Sequence, residues 1–351
     1  MIKYVHIMEG VFANLIAKAG PYTGPRGGKW ADPQHTRAWK PEKPKKKRAK
    51  KEEAPKKKRA LPGSQLPAGV RRSLKKLGVT KLPEASVPLD VIRVNLKNPH
   101  TTAVIQWKDR TGRPQNGYTA TFHERNAKDK WSRTIELREK LPAIKRDLKS
   151  KLRDAKRGTI EQQGLIIANI VAMTGLRPGS MRSLEGRHGV ATMTPDHVKI
   201  SGSRITISFT GKSGAKNRAA FHSTDVADAL APYVRRGKKR NRMMFKRTAL
   251  VAARDALPGD MKLKDFRTAI ATNAAIDALD RVAKPPKLTG NVRKDKRLLA
   301  KVLLEASRSV AKVLNNTASV ARNNYVHPQV FRQWAIERAG ANPALFDEES
   351  E

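Results

Sequence analysis

The chain has 351 residues, of which 73 are Lys or Arg and 31 are Asp or Glu, and its formal net charge is +42. The absence of cysteine excludes a disulfide framework and a thiolate metal site, and the longest apolar runs, such as Leu165–Met173, are too short to cross a bilayer. We therefore expect a soluble intracellular protein with a nucleic acid as its polyanionic partner, although charge alone indicates only non-specific, salt-sensitive binding.

Residues 1–63 are predicted to be an N-terminal extension. Its Gly/Pro-rich run at 20–33 resembles a short module of proteins from phages and other mobile elements. The Lys/Arg-rich stretch at 43–59 has no apolar residue larger than alanine, so it cannot bury enough surface to offset its ordering entropy and is predicted to be a disordered arm. The arm either holds the protein near DNA or is a solvated linker, and residues 44–48 also resemble a nuclear import signal.

Residues 64–145 are predicted to form a small β-rich domain. Alternating apolar and polar residues predict strands at 91–96, 104–107 and 118–122. Basic side chains and aromatic rings alternate around the turn that follows the second strand: Trp107, Lys108, Arg110, Arg113 and Tyr118. This pattern suits contact with a nucleic-acid backbone and stacking on bases, and an ordinary charged hairpin is the alternative.

Residues 146–351 are predicted to form a mainly helical domain with a three-stranded sheet, which makes the chain α+β. Helical periodicity and capping signals predict helices at 132–156, 159–173, 224–234, 247–256, 263–279 and 298–314, and one more that begins at Pro328 and ends before Gly340. Strands are predicted at 197–201, 204–209 and 219–222.

Two basic residues of this domain lie in tight turns. Arg177 follows a predicted helix end at Gly175 and precedes Pro178-Gly179, a turn that would aim its side chain rigidly. Lys212 lies in the turn at 210–217, together with Lys216. The Gly-Lys-Ser of this turn is not a phosphate-binding loop, because Thr206 replaces the first glycine and a strand follows instead of a helix.

Two more residues complete the set of candidates. Arg267 is predicted to lie one turn into a helix, beside an apolar face. Tyr325 lies in the polar, basic segment Asn315–Pro328, where it has no apolar stripe to join. Each of the four has an ordinary explanation when taken alone, such as a solvated turn arginine or a helix-terminal tyrosine with its hydroxyl in water.

The segments that contain these residues resemble the motifs of type IB DNA topoisomerases, specifically the small bacterial and poxvirus form. They read TGLRPGS, FTGKSG, KLKDFRT and NNTASVARNNYVHP, in the family's order and near its spacing. QWKDRTGRPQ, at 106–115, resembles a segment of that family's N-terminal domain. The resemblance implies a DNA-breaking-and-rejoining enzyme that clamps duplex DNA as a monomer and relaxes supercoils by transient nicking, with no cofactor, ATP or metal. We expect it in the cytoplasm of a bacterium or phage-infected cell, associated with the nucleoid, or in the nucleus of a eukaryotic host.

The resemblance also implies a role for each residue. Tyr325 attacks the phosphodiester and remains joined to the 3′-phosphate, while Arg177 and Arg267 bind the non-bridging oxygens. Lys212 is the general acid for the departing 5′-oxygen, with Lys216 as the alternative, and Asn316 donates a further hydrogen bond to the phosphate. The implied DNA contacts are Lys108, Arg110, Arg113, Gln115, Tyr118, Lys216, Lys264 and Arg322.

Elementary chemistry is consistent with these roles. A tyrosine has a pKa of about 10 in water, so its attack at neutral pH needs nearby cations that favour the phenolate. Guanidinium groups are permanently charged and match the geometry of phosphate oxygens. Metal-dependent cleavage would call for clustered carboxylates, whereas Asp225, Asp228 and Asp265 are scattered along the chain.

Two other functions are compatible with parts of this pattern. Tyrosine recombinases share the fold and the order Arg, Lys, Arg, Tyr, but they usually have His where this chain has Lys264, and their N-terminal domain is helical. A non-catalytic basic DNA-binding protein would explain the net charge of +42 but not the ordered motifs.

Overall fold

The computed structural model of the chain describes residues 62–179, 186–240 and 242–346. Within these ranges the chain forms two compact units that divide between Asn126 and Ala127. The predicted N-terminal extension, apart from its last two residues, lies outside the described residues, and so does the basic arm at 43–59.

The N-terminal unit contains a helix and a three-stranded antiparallel sheet with strand order β1-β2-β3. Its elements are α1 (Ala68–Lys76), β1 (Arg93–Val94), β2 (Ile105–Lys108) and β3 (Pro114–Gly117). The predicted sheet is therefore present, and its buried apolar residues include Leu74, Ile105 and Trp107.

The predicted third strand at 118–122 is wrong. The strand occupies Pro114–Gly117, and the chain becomes helical at Ala120. The hydroxyl of Thr119 accepts a hydrogen bond from the backbone nitrogen of Phe122 at 3.1 Å, which is the geometry of a helix N-cap. Tyr118 and Phe122 stack at 4.3 Å between ring centroids, so aromatic residues that resemble a strand pattern instead pack at the start of a helix.

The helix that begins there, α2 (Ala120–Asp154), crosses the division between the two units. Its buried residues follow helical spacing and include Trp131, Leu137, Leu141 and Leu148. The helix predicted at 132–156 therefore exists but begins twelve residues earlier, because charged residues obscure its first turns. The domain boundary predicted at 145 and 146 falls inside this helix.

The C-terminal unit surrounds one almost completely buried helix, α3 (Ile160–Thr174). The side chain of Thr159 caps it by accepting from the backbone nitrogen of Gln162, and it ends at Gly175, which has φ 65°. The predicted glycine C-cap is confirmed, since only a residue without a Cβ adopts this left-handed conformation at little cost.

The sheet of this unit is antiparallel with strand order β4-β5-β6. Its strands are β4 (Val198–Ser201), β5 (Arg204–Thr210) and β6 (Lys216–His222), close to the predicted ranges. The helices that follow are α4 (Thr224–Arg240), α5 (Ala249–Asp255), α6 (Leu263–Asp280), α7 (Val292–Leu314), α8 (Ala318–Tyr325) and α9 (Pro328–Glu337).

Two apolar cores fill this unit and meet along α6. The first contains α3, the inner face of the sheet and the start of α6, up to Ala269. The second begins at Ala271 and packs the rest of α6 against α7, α8 and α9, with Tyr325 at its edge. Within the described ranges, no helix combines the length and the apolar character needed to span a membrane.

Candidate active site

Folding brings Arg177, Arg267 and Tyr325 together, although they lie on three separate segments. Arg177 Nη2 donates a hydrogen bond to the Tyr325 hydroxyl oxygen at 2.6 Å. The guanidinium carbon of Arg267 lies 4.9 Å from the centroid of the Tyr325 ring, and that of Arg177 lies 5.8 Å from it. The half-buried phenol is therefore in contact with two positive charges.

Tyr325 is the last residue of α8, and its backbone is fixed from two sides. The hydroxyl of Thr272, on α6, donates to the carbonyl oxygen of Tyr325 at 3.3 Å and accepts from the backbone nitrogen of His327 at 3.2 Å. Lys130 Nζ donates to the neighbouring carbonyl oxygen of Asn324 at 2.7 Å. These contacts hold the end of the helix against α6 and α2.

The turn that carries Arg177 is held by backbone contacts. The carbonyl oxygen of Arg177 accepts from Val190 N at 3.0 Å. Gly179, at φ 92°, packs directly on Gly189, where a Cβ would lie 2.3 Å from the Gly179 Cα. Only two glycines allow these backbones to approach so closely, and the approach orients Arg177 toward the phenol.

Arg267 is buried, with 4% of its surface exposed, and is held by backbone oxygens. Nη1 donates to the carbonyl oxygen of Gly175 at 2.8 Å and Nη2 donates to that of Leu314 at 2.5 Å. Burial lowers the pKa of the Arg267 guanidinium; nearby Tyr325 opposes that shift, and Arg177 adds to it. The buried Nε has no hydrogen-bond partner among the described residues. Since buried N–H groups rarely remain unpaired, this donor suits an anion that binds beside Tyr325.

Asn316 adjoins the same arginine. Its hydrogen-bonding network requires the amide oxygen to face Arg267, where it accepts from Nη2 at 3.1 Å, while the amide nitrogen donates to the Asn315 carbonyl at 3.3 Å. An amide nitrogen carries two hydrogens, and this bond uses one of them. The structure thus places Asn316 at the site through Arg267.

Lys212 and Lys216 lie at the exposed turn between β5 and β6. Lys212 begins a short 3₁₀ turn, Lys212–Gly214, and Lys216 is the first residue of β6. In the described part of the chain, no contact joins either ammonium to Tyr325, Arg177 or Arg267. The hairpin is nevertheless tied to the tyrosine segment, because Asn315 Oδ1 accepts from Arg218 N at 3.2 Å and its Nδ2 donates to Arg218 O at 3.1 Å.

Comparison with known proteins identifies the family. The family model described as "Eukaryotic DNA topoisomerase I, catalytic core" matches residues 119–342, which is more than half of the chain. The chain belongs to this family of type IB DNA topoisomerases. A similar protein is "DNA topoisomerase 1B" of Acanthamoeba polyphaga mimivirus, which is 23% identical over 295 residues that cover 79% of this chain and 83% of the relative. The match confirms the predicted family, its α+β fold and an isomerase activity.

The topoisomerase has further predicted DNA-binding residues in the C-terminal unit. Lys264 is exposed on the first turn of α6. Arg322 is half-buried on α8, where its Nε donates to Asn323 Oδ1 at 3.1 Å and burial lowers the pKa of its guanidinium.

In the N-terminal unit of the topoisomerase, the predicted DNA-binding residues flank one structured turn. Asp109 closes it by accepting from Thr111 Oγ1 at 2.7 Å and from Gln115 Nε2 at 2.9 Å. The hydrogen bond from the Thr111 hydroxyl, followed by that from the backbone of Arg113, lowers the pKa of Asp109 to about 2. The turn is therefore held by an ionised carboxylate throughout the physiological range.

Two side chains of this turn are exposed, and others bond to neighbouring residues. Lys108 and Arg113 are exposed. Arg110 pairs with Glu84 at 3.0 Å, and the amide oxygen of Gln115 accepts from a neighbouring lysine at 2.9 Å. Tyr118 stacks on the Phe122 ring.

Several residues that organise the site were missed from the sequence. Gly189 and Thr272 act through close backbone approach and backbone hydrogen bonds, which leave no local pattern. Lys130 is one lysine in a run of charged residues, and Asn315 was read only as part of the tyrosine segment. The one signal that could have marked Asn315 is its position after a helix, since asparagine tolerates the left-handed conformation, here φ 52°.

Proposed function

We propose that this chain relaxes supercoiled duplex DNA through a transient single-strand nick in which Tyr325 is joined to the 3′-phosphate, without ATP or a metal ion. The observation that carries the proposal is the 2.6 Å hydrogen bond from Arg177 to the Tyr325 hydroxyl, with Arg267 beside the ring. Membership of the type IB family supports duplex DNA as the substrate.

The first step is attack by Tyr325. The phenol loses its proton to water, and the positive charge of Arg177 stabilises the phenolate as it forms. The oxygen bonds to phosphorus as the bond from phosphorus to the 5′-oxygen breaks. Two guanidiniums beside the reacting oxygen also match the negative charge that develops on the non-bridging oxygens.

Arg267 is suited to the phosphate because its orientation is set before DNA binds. Two of its nitrogens are held by backbone carbonyls, and its buried Nε has no hydrogen-bond partner among the described residues. A preorganised donor loses little entropy on binding and reorganises little in the transition state. Asn316, which bonds to the same guanidinium, would supply an additional donor.

The leaving 5′-oxygen needs a proton, and the exposed ammonium of Lys212 is the proposed donor. The reverse reaction then reseals the strand: the 5′-hydroxyl gives its proton back and attacks phosphorus, and the tyrosine oxygen leaves. One phosphate ester replaces another in each direction, so resealing requires no ATP. Rotation of the free 5′ end between the two steps removes supercoils of either sign.

The test is relaxation of plasmids of both supercoil signs in EDTA without nucleotide. Tyr325→Phe removes only the hydroxyl and should bind DNA and fold like the wild type but relax nothing. Trapping the reaction with detergent should give a DNA-linked peptide that contains Tyr325 on a 3′ end. Relaxation by the Tyr325→Phe variant, or a requirement for metal or nucleotide, would contradict the proposal. Light scattering of the enzyme on a short duplex tests the accompanying expectation of a monomer.

A further inference from the structure

The last turn of α8 requires a partner for its carbonyl groups. The last carbonyl oxygens of a helix receive no hydrogen bond from within that helix. One of them belongs to Asn324, the residue directly before Tyr325. Lys130 Nζ donates to that oxygen at 2.7 Å from α2. A cation at the C-terminal end also interacts favourably with the helix dipole.

Lys130 is itself held in place. Its ammonium lies 3.7 Å from the centroid of the Trp131 ring, which is buried. Trp131 meets the His327 ring edge-on at 5.0 Å, and His327 caps α9 by accepting from Gln329 N at 3.2 Å. The residues just after the tyrosine are thus packed against the same stretch of α2.

The stretch of α2 that carries Lys130 is fastened to the helix that carries Arg267. Arg133 Nε pairs with Asp265 Oδ2 at 3.0 Å, and Asp265 is 1% exposed. Farther along both helices, Arg138 Nε donates to Asn273 Oδ1 at 2.7 Å. Lys130 therefore connects the backbone beside Tyr325 to α2, which is itself bonded to the helix that carries Arg267.

We propose that Lys130 is a positioning residue for Tyr325, which sets the phenol in line with the phosphate by holding the Asn324 carbonyl at the end of α8. The inference rests on the proposed role of Tyr325 as the nucleophile. Lys130 bonds to the backbone directly before Tyr325, so its contribution is to the placement of the attacking oxygen. A misplacement of about 1 Å at a reacting group can lower a rate about 100-fold.

The alternative is a lysine that only adds positive charge for DNA binding. Lys140 is the matched control, because it lies on the same helix, is exposed, and pairs only with Glu136 among the described contacts, at 2.9 Å. Removal of either lysine changes the net charge equally, so a pure charge effect would be the same in Lys130→Met and Lys140→Met.

The measurement is the single-turnover rate constant for covalent complex formation at saturating duplex DNA, normalised to the end point of the active fraction. We expect Lys130→Met to lower it about 10 to 100-fold, with a DNA dissociation constant close to that of Lys140→Met. Lys130→Arg, which retains a donor and the charge, should restore most of the rate. A thermal midpoint within the range of the control shows that the rate loss is not a loss of folding.

Two outcomes are decisive. Equal rate constants for Lys130→Met and Lys140→Met overturn the inference, whereas the absence of a covalent complex in the wild type overturns the proposed function itself. Should Lys130→Met fail to fold, Lys130→Gln replaces it, since it stays polar but is one bond too short to reach Asn324. That variant must then be slower than Lys140→Gln for the inference to stand.

Discussion

The arginine–tyrosine cluster and the lysine-bearing turn belong to the same unit but are built differently. Arg267 is 4% exposed and anchored by two backbone carbonyls, and Arg177 already contacts the phenol. Lys212 and Lys216 are exposed at the turn between β5 and β6. The arginines proposed to stabilise charge already lie against Tyr325, whereas among the described residues no contact joins Lys212 or Lys216 to that side chain.

This difference has a physical reason. Guanidiniums keep their charge when partly buried, so they can be fixed in an apolar surrounding before the substrate arrives. A lysine exposed at a turn makes no buried contacts, so its replacement changes stability little. The two regions therefore predict different consequences for substitution.

The largest effect is expected at Arg267. Arg267→Ala should lower the cleavage rate constant about 100 to 1,000-fold, because a preorganised donor is lost. It should also lower the free energy of unfolding by about 2 to 4 kcal/mol, since it leaves the carbonyls of Gly175 and Leu314 unpaired. Single-turnover cleavage and denaturant titration measure the two effects.

Arg177→Ala separates catalysis from stability. The half-buried Arg177 should give a similar loss of rate but change the free energy of unfolding by less than about 1 kcal/mol. Arg146→Ala removes an exposed arginine of α2 and controls for net charge. Equal destabilisation by Arg177→Ala and Arg267→Ala would show that the two arginines are not anchored differently.

The next prediction concerns the lysines. Lys212→Ala should slow cleavage about 100-fold, in the usual range for loss of a general acid, and leave the unfolding free energy unchanged. A substrate with sulfur in place of the leaving 5′-oxygen should restore the rate, because a thiolate departs without a proton. Lys216→Ala should be slowed less and should gain no selective benefit from sulfur. The opposite result would assign the acid to Lys216.

Much of this arrangement could be predicted from the sequence where the signal is local. The buried helix α3, its glycine end and the β4–β5 hairpin follow from periodicity and turn residues. The order of Arg177, Lys212, Arg267 and Tyr325 was sufficient to name the family, and the family match confirms it.

The sequence fails where long-range contacts decide the structure. Residues 118–122 alternate like a strand, but Thr119 caps a helix there. Lys130 and Thr272 are ordinary residues until folding places them on either side of the tyrosine backbone. The pairing of Gly179 with Gly189 depends on two turns that meet only in three dimensions.

The smallest expected effect on the cleavage rate lies on the rigid side of the comparison, at His327. Burial, then the positive charges of Arg138 and Lys130, lower its pKa to about 4 from 6.5, and its ring packs on Trp131. The unfolded chain therefore binds more protons between pH 4 and 6.5, so this group's contribution to stability is full above pH 6.5 and is lost as the pH falls toward 4. The loss should total at most about 3 kcal/mol.

His327→Asn tests that contribution. Asparagine is also a good N-cap but does not titrate, so the variant should show a weaker decline of unfolding free energy between pH 6.5 and 4. Denaturant titrations at three pH values across this window measure it, and cleavage at neutral pH should change little. An unchanged slope would show that another group accounts for the acid sensitivity.

The two hydrogen bonds between Asn315 and the backbone of Arg218 bear on how the lysine turn reaches the scissile bond. They fasten the hairpin to the helix boundary just ahead of the segment that contains Tyr325. Lys212 and Lys216 lie at the exposed turn of the same hairpin. The proposed proton donor is therefore carried on an element bonded directly to the chain that leads to Tyr325, so a shift of either segment would displace the other.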